Sequence, residues 1–264
     1  MKYCTIDKKK IKYNEESQVE WEDYLGKIYS SIIKNTNNKE LKTIVEIAPG
    51  YKYKIANALK DIEFNGDLYV IDCNKEAVAF LRKKYHDILP NAKIHFLEKT
   101  LFEAIDFLPN NIDIICSNHC LDDMIINEYM KNENMFLNNK NNKELIIKNW
   151  NELKNNSDSL NMINSKIINC FKLLFSRKKV NEIILSQYMS NGFFDDFNSQ
   201  MIYDITRNLF NQLKELFVIN EDIQNILSNI NFSKKYKYIY LNDIKLQQNI
   251  HNAENWIVGE YKDE

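Results

Sequence analysis

The chain has 264 residues, enough for one α/β domain with additions, and its 44% hydrophobic and 12% aromatic content excludes wholesale disorder. A formal net charge of -2 gives no electrostatic reason to expect a polyanion, so nucleic acid is not an expected partner. Five scattered cysteines make no disulfide framework and suit a reducing compartment.

Residues 1–14 are lysine-rich without an apolar core, so no signal peptide is expected. No apolar run approaches membrane-spanning length, and a cytoplasmic protein without a membrane partner is the expectation. From 18 to 34 the residues Trp21, Tyr24, Leu25, Ile28, Tyr29 and Ile32 recur at helical spacing. The run at 43–48 predicts a buried strand broken by Pro49-Gly50, and 53–62 a helix carrying Ile55, Leu59 and Ile62. A second strand is predicted at 68–72. Asn74 then caps a helix over 75–89 with the stripe Ala77, Val78, Leu81, Tyr85 and Ile88.

Further strands are predicted at 93–97 and 112–116, with helical pieces at 101–107 and 122–130. The stretch 131–160 breaks this rhythm. It is rich in Asn and Lys, holds one helical fragment near 144–153, and is expected as an insertion. A helix at 162–175, a fifth strand at 180–185 and a long helix at 200–217 follow. The segments 235–241 and 256–261 alternate like two closing strands.

The order implies an α/β, doubly wound, mostly parallel seven-stranded sheet with an antiparallel C-terminal hairpin. The expected domains are an N-terminal helical cap over 1–42 and a Rossmann-like domain over 43–264, with the insertion at about 131–160 as a lid. Trp21, Tyr24, Tyr29 and Trp150, with the aromatic loop 187–194, are the candidates to cover the site; ordinary packing is the competing role for them. Ligands on such sheets sit at the carboxyl ends of the strands, so the chemistry is sought in the first four loops.

In the first loop Glu46 ends a strand, Ala48-Pro49-Gly50 follow, and a helix begins after Tyr51. Helix-start N–H groups favour an anion, and Gly50 lets backbone approach a ligand. In the second, Asp72 stands 22 residues after Gly50, followed by Cys73 and Asn74; a carboxylate there can accept from two ribose hydroxyls. Each acid also has a structural reading, Glu46 as a satisfied core acid and Asp72 as a cap.

These residues resemble the class I S-adenosylmethionine (SAM)-dependent methyltransferases. Glu46 to Gly50 looks like their first motif in an Ala-Pro-Gly variant, and Asp72 like the acid of their second. Glu98, Lys99 and Thr100 stand where the adenine-contacting loop belongs, Ser117 and Asn118 follow the fourth strand, and the last two strands resemble that family's closing hairpin. The chain departs from the pattern at Tyr51 and Lys52, where glycines are common. The resemblance implies SAM as cofactor and S-adenosylhomocysteine as product. Chemistry supports SAM over a dinucleotide: SAM brings a carboxylate and an ammonium to that turn rather than a pyrophosphate, so one glycine suffices and Glu46 suits the ammonium.

In the fourth loop His119, Asp122 and Asp123 are the catalytic candidates, His119 as base or substrate anchor and Asp122 or Asp123 orienting it or binding a substrate amine or hydroxyl. Asp122 and Asp123 are equally well placed to complement a helix start. Cys116, His119 and Cys120 lack a zinc spacing, and no metal is expected. The expected reaction is methyl transfer to an O, N or S nucleophile of a small molecule or peptide. RNA or protein methylation, aminocarboxypropyl transfer and a non-catalytic SAM-binding module are the competing readings.

Overall fold

The computed structural model describes residues 15–36, 40–131, 143–188, 197–228 and 254–262. In chain order the elements are α1 (Glu15–Lys34), β1 (Thr43–Ile47), α2 (Lys54–Asp61), β2 (Asp67–Ile71), α3 (Lys75–Ile88), β3 (Lys93–Leu97), α4 (Leu101–Ala104) with a 3-10 turn to Phe107, and β4 (Asn111–Asn118). They continue as α5 (Leu121–Met130), α6 (Lys143–Lys154), α7 (Ser157–Arg177), β5 (Lys179–Tyr188), α8 (Phe197–Lys214), β6 (Phe217–Ile219), α9 (Ile223–Ser228) and β7 (Glu254–Tyr261).

The seven strands lie in the order β3-β2-β1-β4-β5-β7-β6. The first five are parallel, while β7 runs antiparallel to both β5 and β6. Chain order reverses between β1 and β4, and on such sheets the ligand crevice falls at the carboxyl ends of those two strands, here beyond Ile47 and Asn118. The parallel strands are apolar on both faces: β1 buries Ile44, Val45 and Ile47, and β4 buries Ile112, Ile114, Ile115 and Cys116.

Two buried clusters flank the sheet. One gathers α5, α6, α7 and α8 through Leu121, Ile125, Trp150, Leu153, Phe171 and Leu209. The other gathers α1, α2 and α3 through Leu25, Ile28, Ile32, Ile55, Leu59 and Leu81. The N-terminal helix therefore shares its core with β1, β2 and β4. Trp150, expected over the site, is 3% exposed and belongs to the first cluster. The described part of the expected insertion is largely helical, comprising α6 and the start of α7.

Local signals worked where they were strongest. Asn74 caps α3 by accepting from the N–H groups of Glu76 and Ala77 at 3.0 and 3.1 Å, a contact worth about 1 kcal/mol. The partner of β7 is a correction. It is the three-residue β6, which begins at the last residue of the span expected as a helix, whereas 235–241 lies outside the described residues. So do residues 132–142 and 189–196 of the expected lid and aromatic loop. Among the described residues no helix is long and apolar enough to cross a membrane.

Candidate functional site

The first loop leaves β1 by a reversal. Ala48 adopts φ 49° and Gly50 φ 60°, both left-handed. Gly50 adopts that conformation without the strain a side chain brings, and the space where a Cβ would stand is open. Ala48 donates its N–H to Ile71 O at 2.8 Å, and Lys52 closes a turn onto the carbonyl of Pro49 at 3.0 Å.

Asp72 joins the first two loops. One carboxylate oxygen accepts the N–H of Gly50 at 2.8 Å and the other that of Asn74 at 2.8 Å. Burial pushes its pKa up, and the two amides pull it back. Asp72 is thus the fastener of the β1 and β2 ends, and Asn74 is the residue that caps α3. Cys73 beside it is half-buried, its thiol pushed up to about 11 by burial and then by the Asp72 charge. The Tyr51 phenol donates to Glu76 at 3.2 Å, with its ring against Phe80, so it lies toward α3.

Glu46 is 3% exposed in the middle of the sheet. Tyr85 of α3 donates its phenol to it at 2.7 Å. Desolvation raises the carboxyl to about 8; the Tyr85 bond and the Lys54 charge oppose the rise, while Asp72 and Glu22 add to it. A buried acid in this state is poised to ionise when a cation arrives.

Two residues whose charges reach Glu46, Glu22 and Lys54, escaped the sequence reading, as did the hydroxyl contacts of Tyr29, expected only as a candidate to cover the site. Glu22 of α1, 1% exposed, accepts the N–H of Tyr53 at 3.1 Å and pairs with Lys52 at 3.5 Å. Lys54, the first residue of α2, is buried and donates its ammonium to Asn118 Oδ1. Tyr29 of α1 donates to Ser117 O at 2.6 Å and also contacts Ser186 Oγ at 2.9 Å. Tyr29 and Tyr85 read as members of apolar stripes, and nothing in the sequence marks their hydroxyls as bonded.

At the β4 end, Ser117 donates its hydroxyl to Ile47 O at 2.8 Å, which ties β4 to β1. Asn118 donates to Ser186 Oγ at 2.6 Å. His119 follows with φ 58°, a costly conformation for a residue with a Cβ, and donates its N–H to Ser186 O at 2.9 Å. Asp122 accepts from Gln187 at 3.2 Å. Burial raises the Asp122 carboxyl, and the nearby His119 opposes that rise. Asp123 is raised by surrounding protein, then by Asp122 and Asp72.

The third loop stands apart from this cluster. Glu98 pairs with Arg82 at 3.3 Å on the surface, Lys99 lies over the Phe107 ring at 4.6 Å, and Thr100 forms a capping box with Glu103. Their side chains have structural partners. The thiols of Cys116 and Cys120 are buried, Cys120 pushed up to about 12 by burial, so neither offers a thiolate. Among the described residues no group of three His, Cys, Asp or Glu is placed to hold a metal ion.

No family model matches the chain, and no curated protein matches it. Solved structures similar to it include the plantazolicin methyltransferase BpumL in complex with SAH, at 16% identity and TM-score 0.45 over 93% of this chain and 86% of that one. Fibrillarin in its complex with Nop5p aligns at 8% identity and TM-score 0.46 over 92% and 84%. TrmN from Thermus thermophilus aligns at 10% identity and TM-score 0.41 over 78% and 47%. Independently of these likenesses, the strand order with an antiparallel β7 is the class I methyltransferase fold that the sequence resembles.

Proposed function

We propose that the chain is a SAM-dependent methyltransferase acting on an O, N or S nucleophile of a small molecule or peptide, with S-adenosylhomocysteine as product. The observation that carries this reading is the convergence of Glu46, Gly50 and Asp72 at the β1–β4 switch point. Asp72 fastens Gly50 to Asn74, and Glu46 lies buried within the electrostatic reach of Asp72. The residues fit the group. The open space at Gly50 receives the ligand's approach, and the buried carboxyl of Glu46 gains a counter-charge from its ammonium.

When bound, SAM supplies a methyl group made electrophilic by its sulfonium. In this reading the chain's part is to bind, orient and handle one proton. Asp72 retains lone pairs beyond its two amide bonds and accepts from the ribose hydroxyls. The backbone of 98–100 meets the adenine, Ser117 and Asn118 shape the wall across from Gly50, and the start of α2 faces the carboxylate. His119 is held in its strained conformation at the crevice, where it takes a proton from the acceptor atom while Asp122 and Asp123 offset the charge it gains.

Product analysis tests the reading. The protein is incubated with SAM and panels of small amines, hydroxy compounds, thiols and short peptides, and S-adenosylhomocysteine and methylthioadenosine are quantified. Acceptor-dependent S-adenosylhomocysteine is the expected product. Methylthioadenosine in its place overturns methyl transfer in favour of aminocarboxypropyl transfer, and neither product with any panel argues for a binding module.

A further inference from the structure

Lys54 is the buried cation of the crevice, and its surroundings fix where its charge stands. It opens α2, eight positions after Glu46, and reaches across to Asn118 at the carboxyl end of β4. It is 7% exposed, and its charge is felt by both Glu46 and Glu22. Burying an ammonium is costly unless it is paired and hydrogen-bonded, so a lysine kept here requires compensation.

Part of that compensation is a hydrogen-bond chain whose direction can be read link by link. Ser117 O is a carbonyl and only accepts, so the Tyr29 hydroxyl hydrogen lies on it at 2.6 Å. The Tyr29 oxygen then accepts from Ser186 Oγ at 2.9 Å, and Ser186 Oγ accepts from Asn118 Nδ2 at 2.6 Å. This leaves the Asn118 carbonyl oxygen facing Lys54; the flipped amide would set N–H groups against an ammonium. Each donor in the chain polarises the next. Lys54 is held by an oriented acceptor, at the wall of the crevice opposite β1.

From this geometry we infer that Lys54 recognises the carboxylate at the amino-acid end of the ligand, beside Glu46, which takes the ammonium. The inference rests on the cofactor reading given above and deepens it. A zwitterionic amino-acid head needs an anion and a cation side by side. Glu46 and Lys54 supply that pair from two consecutive elements. An ammonium carries three donors, so Lys54 can keep Asn118 and still bind a carboxylate, forming charge-assisted bonds in a water-poor site. The competing role is purely structural: Lys54 as the counter-charge that lets Glu22 and Glu46 be buried. The two roles differ in which ligands feel the loss of the charge.

The test is calorimetric titration with SAM, with decarboxylated SAM, which keeps the ammonium but lacks the carboxylate, and with methylthioadenosine, which lacks both. The wild-type protein is expected to bind SAM about 10- to 100-fold more tightly than its decarboxylated form, the range of a hydrogen bond to a charged group. Lys54→Gln is expected to lose that preference and leave methylthioadenosine binding unchanged, while Lys54→Arg keeps it. Equal wild-type affinities for SAM and decarboxylated SAM overturn the assignment without any variant. A Lys54→Gln protein that loses all three ligands alike, or keeps the preference, overturns it as well. Should that variant not fold, the wild-type comparison and Lys54→Arg still decide. Absence of binding to all three by the wild-type protein overturns the cofactor reading, and this assignment with it.

Discussion

Tyr85 and Glu46 meet at 2.7 Å from elements 39 positions apart, a phenol donating to a carboxyl in the middle of a parallel sheet. The pairing places a titratable acid where most sheets hold a valine. It therefore links the stability of the protein to pH in a direction that can be worked out.

The Glu46 carboxyl rises from an ordinary 4.5 to about 8. Below about pH 4.5 the folded and unfolded chains both hold this proton; between 4.5 and 8 only the folded chain does. Stability from this group is therefore fully present in acid and is lost as pH rises through 8, on the order of a few kcal/mol. Denaturant melts at a series of pH values should show this decline in the wild-type protein and a flatter profile for Glu46→Gln.

Ligand binding draws on the same proton. An ammonium seated beside Glu46 ionises it, so SAM binding at pH 7 should release a proton to the buffer. Calorimetry in two buffers of different ionisation enthalpy reads the number released. A value near zero counts against Glu46 as the ammonium partner.

Asp72→Ala removes the acceptor of two part-buried amides as well as the proposed ligand contact. SAM affinity should fall by about 1.5–3 kcal/mol and folding stability by about 1–3 kcal/mol. Asp72→Asn keeps one oxygen and should recover part of the stability and less of the affinity. Thermal melts alongside calorimetry separate the two effects.

His119 carries left-handed backbone strain of about 1–2 kcal/mol, which glycine does not incur. His119→Gly should leave the melting temperature level or higher, while methyl transfer to a protonated acceptor falls about 10²- to 10⁴-fold. Unchanged turnover removes His119 from the proton-handling role.

Trp150 distinguishes a core residue from a lid. Buried in the α5–α8 cluster, Trp150→Ala should cost about 3–5 kcal/mol of stability. SAM affinity measured well below the lowered melting temperature should stay at its wild-type value.

The sheet was legible because its strands are short apolar runs ending in polar residues, and its helices carry regular stripes. Asn74 and the Ala48–Gly50 reversal were visible for the same local reason. β6 was not. Its three residues continue the apolar pattern of α8 through Leu213 and Leu216, and only pairing with β7 makes them a strand. Among the residues gathered at the candidate site, Glu46, Gly50 and Asp72 stand out in the sequence because each interrupts an apolar run near a strand end. Glu22, Lys54, Ser186 and the hydroxyl contacts of Tyr29 do not, since they depend on partners 31 to 157 positions away. Tyr29 in particular looks like any aromatic on a helix stripe until the carbonyl it meets is known.

Helix α1 touches both walls of the crevice, through Glu22 on the loop after β1 and Tyr29 on the ends of β4 and β5. A chain trimmed to start at β1 would retain every signature residue yet lose the brace that spaces the two walls. The smallest fragment that keeps both walls is therefore longer than its recognisable motif, and a search for shortened versions should begin upstream of Glu22.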